Sequence, residues 1–153
     1  MKHLLFKCLP AWVLAVLITA VLTSVVQSLA NLQALQAMGV ALEPVHWVET
    51  VALDLVGFGA FMAVVTAPTF LVAFMVAAVL LRWIPSRGFV FAVAGALGML
   101  GVVMLLDHLT PPPTLIAATR TWVGTGLFMA CAGVGGLLYG LLSRFRDPDL
   151  IFD

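Results

Sequence analysis

Four long apolar runs, separated by short polar stretches, set the pattern of the chain. The first covers residues 9–30 and follows Lys2 and Lys7. Ser28, Leu29 and Ala30 have the small-residue pattern of a signal-peptide cleavage site, but the apolar core of a signal peptide is only about 7–15 residues long. The run is therefore read as a membrane-spanning helix. Residues 31–49 are more polar, with Gln33, Gln36, Glu43, His46 and Glu49, while Leu32, Leu35, Met38 and Leu42 recur at helical spacing. This predicts a short amphipathic piece at the membrane interface, anchored by Trp47 and broken at Gly39 and Pro44.

Residues 51–84 form the second apolar run, with Asp54 as its one acid ahead of Arg82. The run exceeds one bilayer crossing, for which about 20 residues suffice, yet is too short for two crossings and a turn. Gly57, Gly59 and Pro68 punctuate it. The expectation is an interfacial or re-entrant piece up to Gly57, a bend, and a second spanning helix over 59–84, with Pro68 kinking that helix or marking its start. A turn at 82–87 follows, since Pro85 and Ser86 suit one. A third helix over 88–106 ends before Pro111, Pro112 and Pro113, which cannot continue it. Residues 114–120 connect it to a fourth helix over 121–143, and the tail is short and polar.

The charges support this map. Lys2, Lys7, Arg82, Arg87, Arg144 and Arg146 fall on one side of an alternating four-span topology, and only Arg120 falls on the other. Basic residues gather on the cytoplasmic side, which predicts cytoplasmic N- and C-termini. Composition agrees: 63% of the 153 residues are hydrophobic and 9% charged, against roughly 45–50% and about 25% in soluble domains. A net charge of zero offers nothing to nucleic acid. Length allows one integral membrane domain over 1–153. Cys8 and Cys131 form no CxxC pair and are read as packing thiols rather than a redox pair.

Helix association in lipid relies on small residues that let backbones approach. Ala132, Gly136 and Gly140 repeat at spacing four, and Ala94 and Gly98, with Gly101 nearby, do so on the third helix. The third and fourth helices are therefore expected to pack closely. A homo-oligomer or a membrane-protein partner is the alternative use of these seams.

Candidate chemistry collects at the outer face: His46, Glu49, Asp54, Asp107, His108 and Arg120. His46 and Glu49 share a helical face, but no dense metal-ligand pattern exists, so no metal or cofactor is expected. Arg120 precedes the fourth helix. It either pairs with Asp107 or Asp54 to clamp the connector, or binds an anionic headgroup or solute with help from the helix dipole. The apolar runs hold no ionisable residue at mid-membrane, which argues against an ion-coupled carrier. Catalytic templates are missing, so a non-enzymatic protein is expected. An enzyme would require Asp54, Asp107, His108 and Arg120 to converge in one cleft.

The segment Thr114-Leu-Ile-Ala-Ala-Thr-Arg120-Thr, followed by Gly126, Ala132, Gly133, Gly135 and Gly136, resembles a set of uncharacterised small four-helix inner-membrane proteins of Gram-negative bacteria. These carry an Ile-Ala-Gly-Ala-Arg-like motif before a glycine-rich last helix; here Ala118 and Thr119 stand at the Gly and Ala positions. The resemblance implies a bacterial inner-membrane location and a site around Arg120, and it brings no activity. The combined expectation is an all-α, four-helix transmembrane bundle that acts in the lipid bilayer as an accessory, assembly or lipid-interacting subunit. The alternative is a small channel or carrier for a neutral or anionic solute, with Arg120 at its outer mouth.

Overall fold

The computed structural model describes residues 2–39, 44–109 and 116–144. Its elements are α1 (Lys2–Ala37), α2 (Pro44–Leu80), α3 (Arg87–Leu109), a connector turn of 3-10 helix (Ala117–Arg120) and α4 (Trp122–Arg144). No strand occurs among the described residues. Four helices are long and apolar enough to cross a bilayer, so this is a multi-pass membrane protein. With no water in hydrocarbon to satisfy backbone groups, helices are the form such runs must take.

The helices form a closed ring of neighbours. α1 packs on α2 and α4, α2 on α3, and α3 on α4, with α3 and α4 in the most extensive contact. One end of the bundle carries the turn between α2 and α3, and is called the turn end. The other carries the α1–α2 junction and the connector turn, and is called the connector end.

Two expected boundaries are corrected. The polar stretch 31–49 is not a separate interfacial element: α1 continues through it to Ala37, and α2 begins at Pro44. Gly39, at φ +84°, accounts for the end of α1. Glycine tolerates that left-handed conformation where other residues resist it, and the Gly39 N–H donates to the Gln36 carbonyl at 2.9 Å. Glu43 and Leu42 lie outside the described residues. Nor does the chain bend or re-enter at Gly57 and Gly59, because α2 is a single helix of 37 residues. A helical glycine costs about 1 kcal/mol relative to alanine, too little to break a backbone whose freed polar groups would face lipid. Pro68 also lies within α2 rather than at its start. The Thr69 hydroxyl beside it donates to the Val65 carbonyl at 2.8 Å. The expected turn after α2 is present, and α3 ends at Leu109. The three prolines, most of the residues leading into the connector turn, and the polar tail fall outside the described residues.

The interior has two chemical halves. Toward the turn end, Phe70, Phe74, Phe91 and Tyr139 interlock. Phe74 stacks on Phe70 at 4.7 Å and on Tyr139 at 4.5 Å, and Phe91 meets Tyr139 edge-on at 4.9 Å. Such ring pairs contribute about 0.5–1.5 kcal/mol each beyond their buried area. Toward the connector end polar side chains join the apolar core: Thr19, Thr23, Ser24, Gln27, Ser28 and Thr66 are buried among residues such as Met62, Ile116 and Phe128.

The α3–α4 seam rests on small residues, as expected, but not on all the expected ones. A side-chain carbon on Gly136 would run into the Phe91 carbonyl, and one on Gly140 would lie 2.9 Å from the Gly88 Cα. On α3 the facing glycines are Gly88, against Leu137, and Gly95, directly over the Ala132 carbonyl. Gly98 instead faces α2, at Thr69 and Ala73, and Gly101 has no neighbour within 4 Å. The reason is angular. Residues 91, 95 and 99 form one buried stripe of α3; at about 100° per residue, position 98 falls at the edge of that stripe, about 60° from its centre, and position 101 about 120° from it.

Candidate functional site

The connector turn is built by local hydrogen bonds. Ile116 enters in extended conformation, and the Thr119 hydroxyl donates to its carbonyl at 3.0 Å. Thr121 then caps α4: its hydroxyl oxygen accepts from the Gly124 N–H at 3.1 Å, the usual duty of a threonine at that position. Gly124 has to be small, because a side-chain carbon there would collide with the Ala118 carbonyl. Thr125 adds hydroxyl contacts to the Thr119 and Thr121 carbonyls, both at 3.3 Å.

α1 holds this turn from below. The Ala118 N–H donates to the side-chain carbonyl of Gln27 at 3.0 Å. Both groups are buried, so the bond supplies an amide that would otherwise lie unsatisfied. Sequence reasoning singled out Arg120 and gave Gln27, one of the few polar residues in the apolar runs, no role at the site. The available signal was the repeat Thr19, Thr23 and Gln27 at spacing four, which puts three polar groups on one face of an apolar helix.

Arg120 and Asp107 come together. Both line a pocket of about 280 Å³ with Thr119, Thr121, Thr125 and Trp122, above an apolar wall that includes Leu100, Val103 and Met104. Arg120 is exposed, Asp107 is half-buried, and Trp122 is 86% exposed. An arginine can hold a phosphate or carboxylate by paired N–H donors, and a carboxylate accepts from an ammonium. The pocket brings a basic and an acidic side chain together with three threonines in one lining.

The other candidates lie elsewhere. His108 is exposed and is not in the pocket wall. His46 and Glu49 are exposed on the first turns of α2, where the His46 carbonyl accepts from the Thr50 hydroxyl at 2.7 Å. Asp54 is half-buried one helix away, its Oδ2 accepting from the Ser28 hydroxyl at 2.8 Å. Asp54, Asp107, His108 and Arg120 thus do not share one cleft: the pocket joins Asp107 to Arg120 and leaves out the other two. No group of three or more His, Cys, Asp or Glu side chains able to hold a metal occurs among the described residues.

A second, mainly apolar groove of about 520 Å³ opens between α2 and α3, lined by Val72, Val76, Val93, Leu97, Gly98 and Gly101, with Thr69 as its one polar side chain. It explains why Gly101 meets nothing. No protein-family profile, curated protein or solved structure matches the chain.

Proposed function

We propose that the chain is a non-enzymatic integral membrane protein that binds phospholipid headgroups at its connector end, as a lipid-interacting accessory subunit. The observation that carries this reading is the pairing of Arg120 and Asp107 in one pocket beside an apolar wall. Arg120 takes the phosphate and Asp107 takes the ammonium of a zwitterionic headgroup. Leu100, Val103 and Met104 receive the first part of an acyl chain. Trp122 suits the headgroup level, where tryptophan concentrates. The distribution of basic residues supports an outer position for this pocket, with both termini in the cytoplasm. The resemblance around Arg120 supports a bacterial inner membrane.

The test is lipid retention. Protein purified in mild detergent is expected to carry phospholipid, detected by native mass spectrometry and lipid extraction. Arg120→Ala should lose most of it. Asp107→Asn should keep binding but shift preference from zwitterionic to anionic headgroups, since the site then presents net positive charge. Unchanged lipid content and selectivity in both variants would remove the reading.

A further inference from the structure

The buried hydroxyls toward the connector end divide into two kinds. Thr23 and Ser28 donate to carbonyls of their own helix, at 2.8 and 3.0 Å, which is how such residues normally satisfy themselves in apolar helices. Thr19, Ser24 and Thr66 do not. All three are 0% exposed, and their hydroxyls make no hydrogen bond within the protein. For Ser24 there is a local cause: the carbonyl one turn back, at Ala20, is already taken by the Thr23 hydroxyl at 3.1 Å. The Ser24 side chain points to α2 instead, with its Cβ and Oγ both 3.7 Å from the place a side-chain carbon on Gly59 would occupy. Each orphaned hydroxyl in a low-dielectric interior is costly. Thr19 faces α4 at Gly135, whereas Ser24 lies one turn from Ser28 on the side of α1 that meets α2.

The atoms around Ser24 define the chemistry of a partner for it. Ser24 and Ser28 lie one turn apart on the same face of α1, with side chains about 5–6 Å apart at their roots. Ser28 reaches the Asp54 carboxylate at 2.8 Å. Among the described residues this is the hydrogen bond that the carboxylate receives. The set is therefore one carboxylate and hydroxyl oxygens, with no sulfur or imidazole. Oxygen donors select hard cations. A single negative charge balances a single positive one, whereas calcium sites use several carboxylates and carbonyls.

We propose that Asp54, Ser28 and Ser24 form a binding site for a monovalent hard cation, with sodium as the fitting ion, entered from the connector end between α1 and α2. Asp54 supplies the charge, Ser28 bridges, and Ser24 is the deep ligand that has no other partner.

The experiment follows thermal unfolding of the full chain in nanodiscs as sodium chloride replaces choline chloride at constant ionic strength. The midpoint should rise with sodium and saturate. Asp54→Asn should abolish the dependence. Ser24→Ala, a small change that leaves the mouth intact, should raise the half-saturating sodium concentration about tenfold, equivalent to about 1.4 kcal/mol. Equal midpoints in sodium and choline would overturn the site and leave water as the occupant. A sodium response that persists in Asp54→Asn would also overturn it. If Asp54→Asn does not fold, Ser24→Ala decides: an unchanged half-saturation overturns the assignment.

Discussion

At the scale of single residues, two glycines one seam apart behave as opposites. A methyl group on Gly136 would enter the Phe91 carbonyl, whereas one on Gly101 would meet nothing within 4 Å. Gly136→Ala should therefore cost about 1–3 kcal/mol by forcing α3 and α4 apart, and Gly101→Ala should be neutral or favourable by up to about 1 kcal/mol through helix propensity. Unfolding midpoints of the two variants in one detergent check the contrast. Gln27 makes a further residue-scale prediction. Gln27→Leu keeps the volume and orphans the Ala118 N–H, at a cost of about 1–3 kcal/mol. Trypsin cleavage after Arg120 should accelerate as the connector turn loosens; an unchanged rate would show that Gln27 is not its clamp. The sequence allowed the small-residue stripes to be recognised, but not the partner of each. Gly95 and Gly98 are separated by less than one helical turn, and only the placement of α2 and α4 decides which helix each one meets. Arg120 and Asp107 were visible as lone charges at helix ends. Gln27 was hidden because an uncharged amide in an apolar run gives no electrostatic signal.

At the scale of elements, helix count and the turn at 81–86 followed from apolar length and turn chemistry, whereas the course of residues 31–59 did not. Gly57, Gly59 and Pro68 are strong breakers in water, where a broken helix can bond to solvent. In lipid that alternative is lost, and α2 runs through all three. α1 passes Asn31, Gln33 and Gln36 and ends at Ala37, just before Gly39 at φ +84°. Proximity within α2 is consequential for the candidate sites. Because the helix is unbroken, Asp54 keeps a fixed register against Ser28 while Gly59 lies against Ser24, so the mouth and depth of the proposed cation site move as one body.

At the scale of the whole molecule, the alternation of basic residues makes a direct prediction. A cysteine introduced at Ser86 in an otherwise cysteine-free chain should be blocked by a membrane-impermeant maleimide only after the cells are opened, while one at Thr121 should react in cells with a permeabilised outer membrane. The reverse pattern would invert the map and put the Arg120 pocket in the cytoplasm.

The helices also differ in length: α1 and α2 have 36 and 37 residues, and α3 and α4 have 23 each. At about 1.5 Å per residue the first pair is roughly 20 Å longer than the second. The short pair matches a hydrocarbon layer of about 30 Å; the long pair overshoots it, with apolar Val45, Val48, Leu53 and Val56 still exposed along the overshoot. Annular lipids thus meet a tall flank on one side and a low flank on the other. The mismatch is relieved by leaning the tall flank or thickening the leaflet beside it, at fractions of a kcal/mol per Å. Such a lopsided body favours thicker patches of membrane on one side only, and its inclination should fall as the acyl chains around it lengthen.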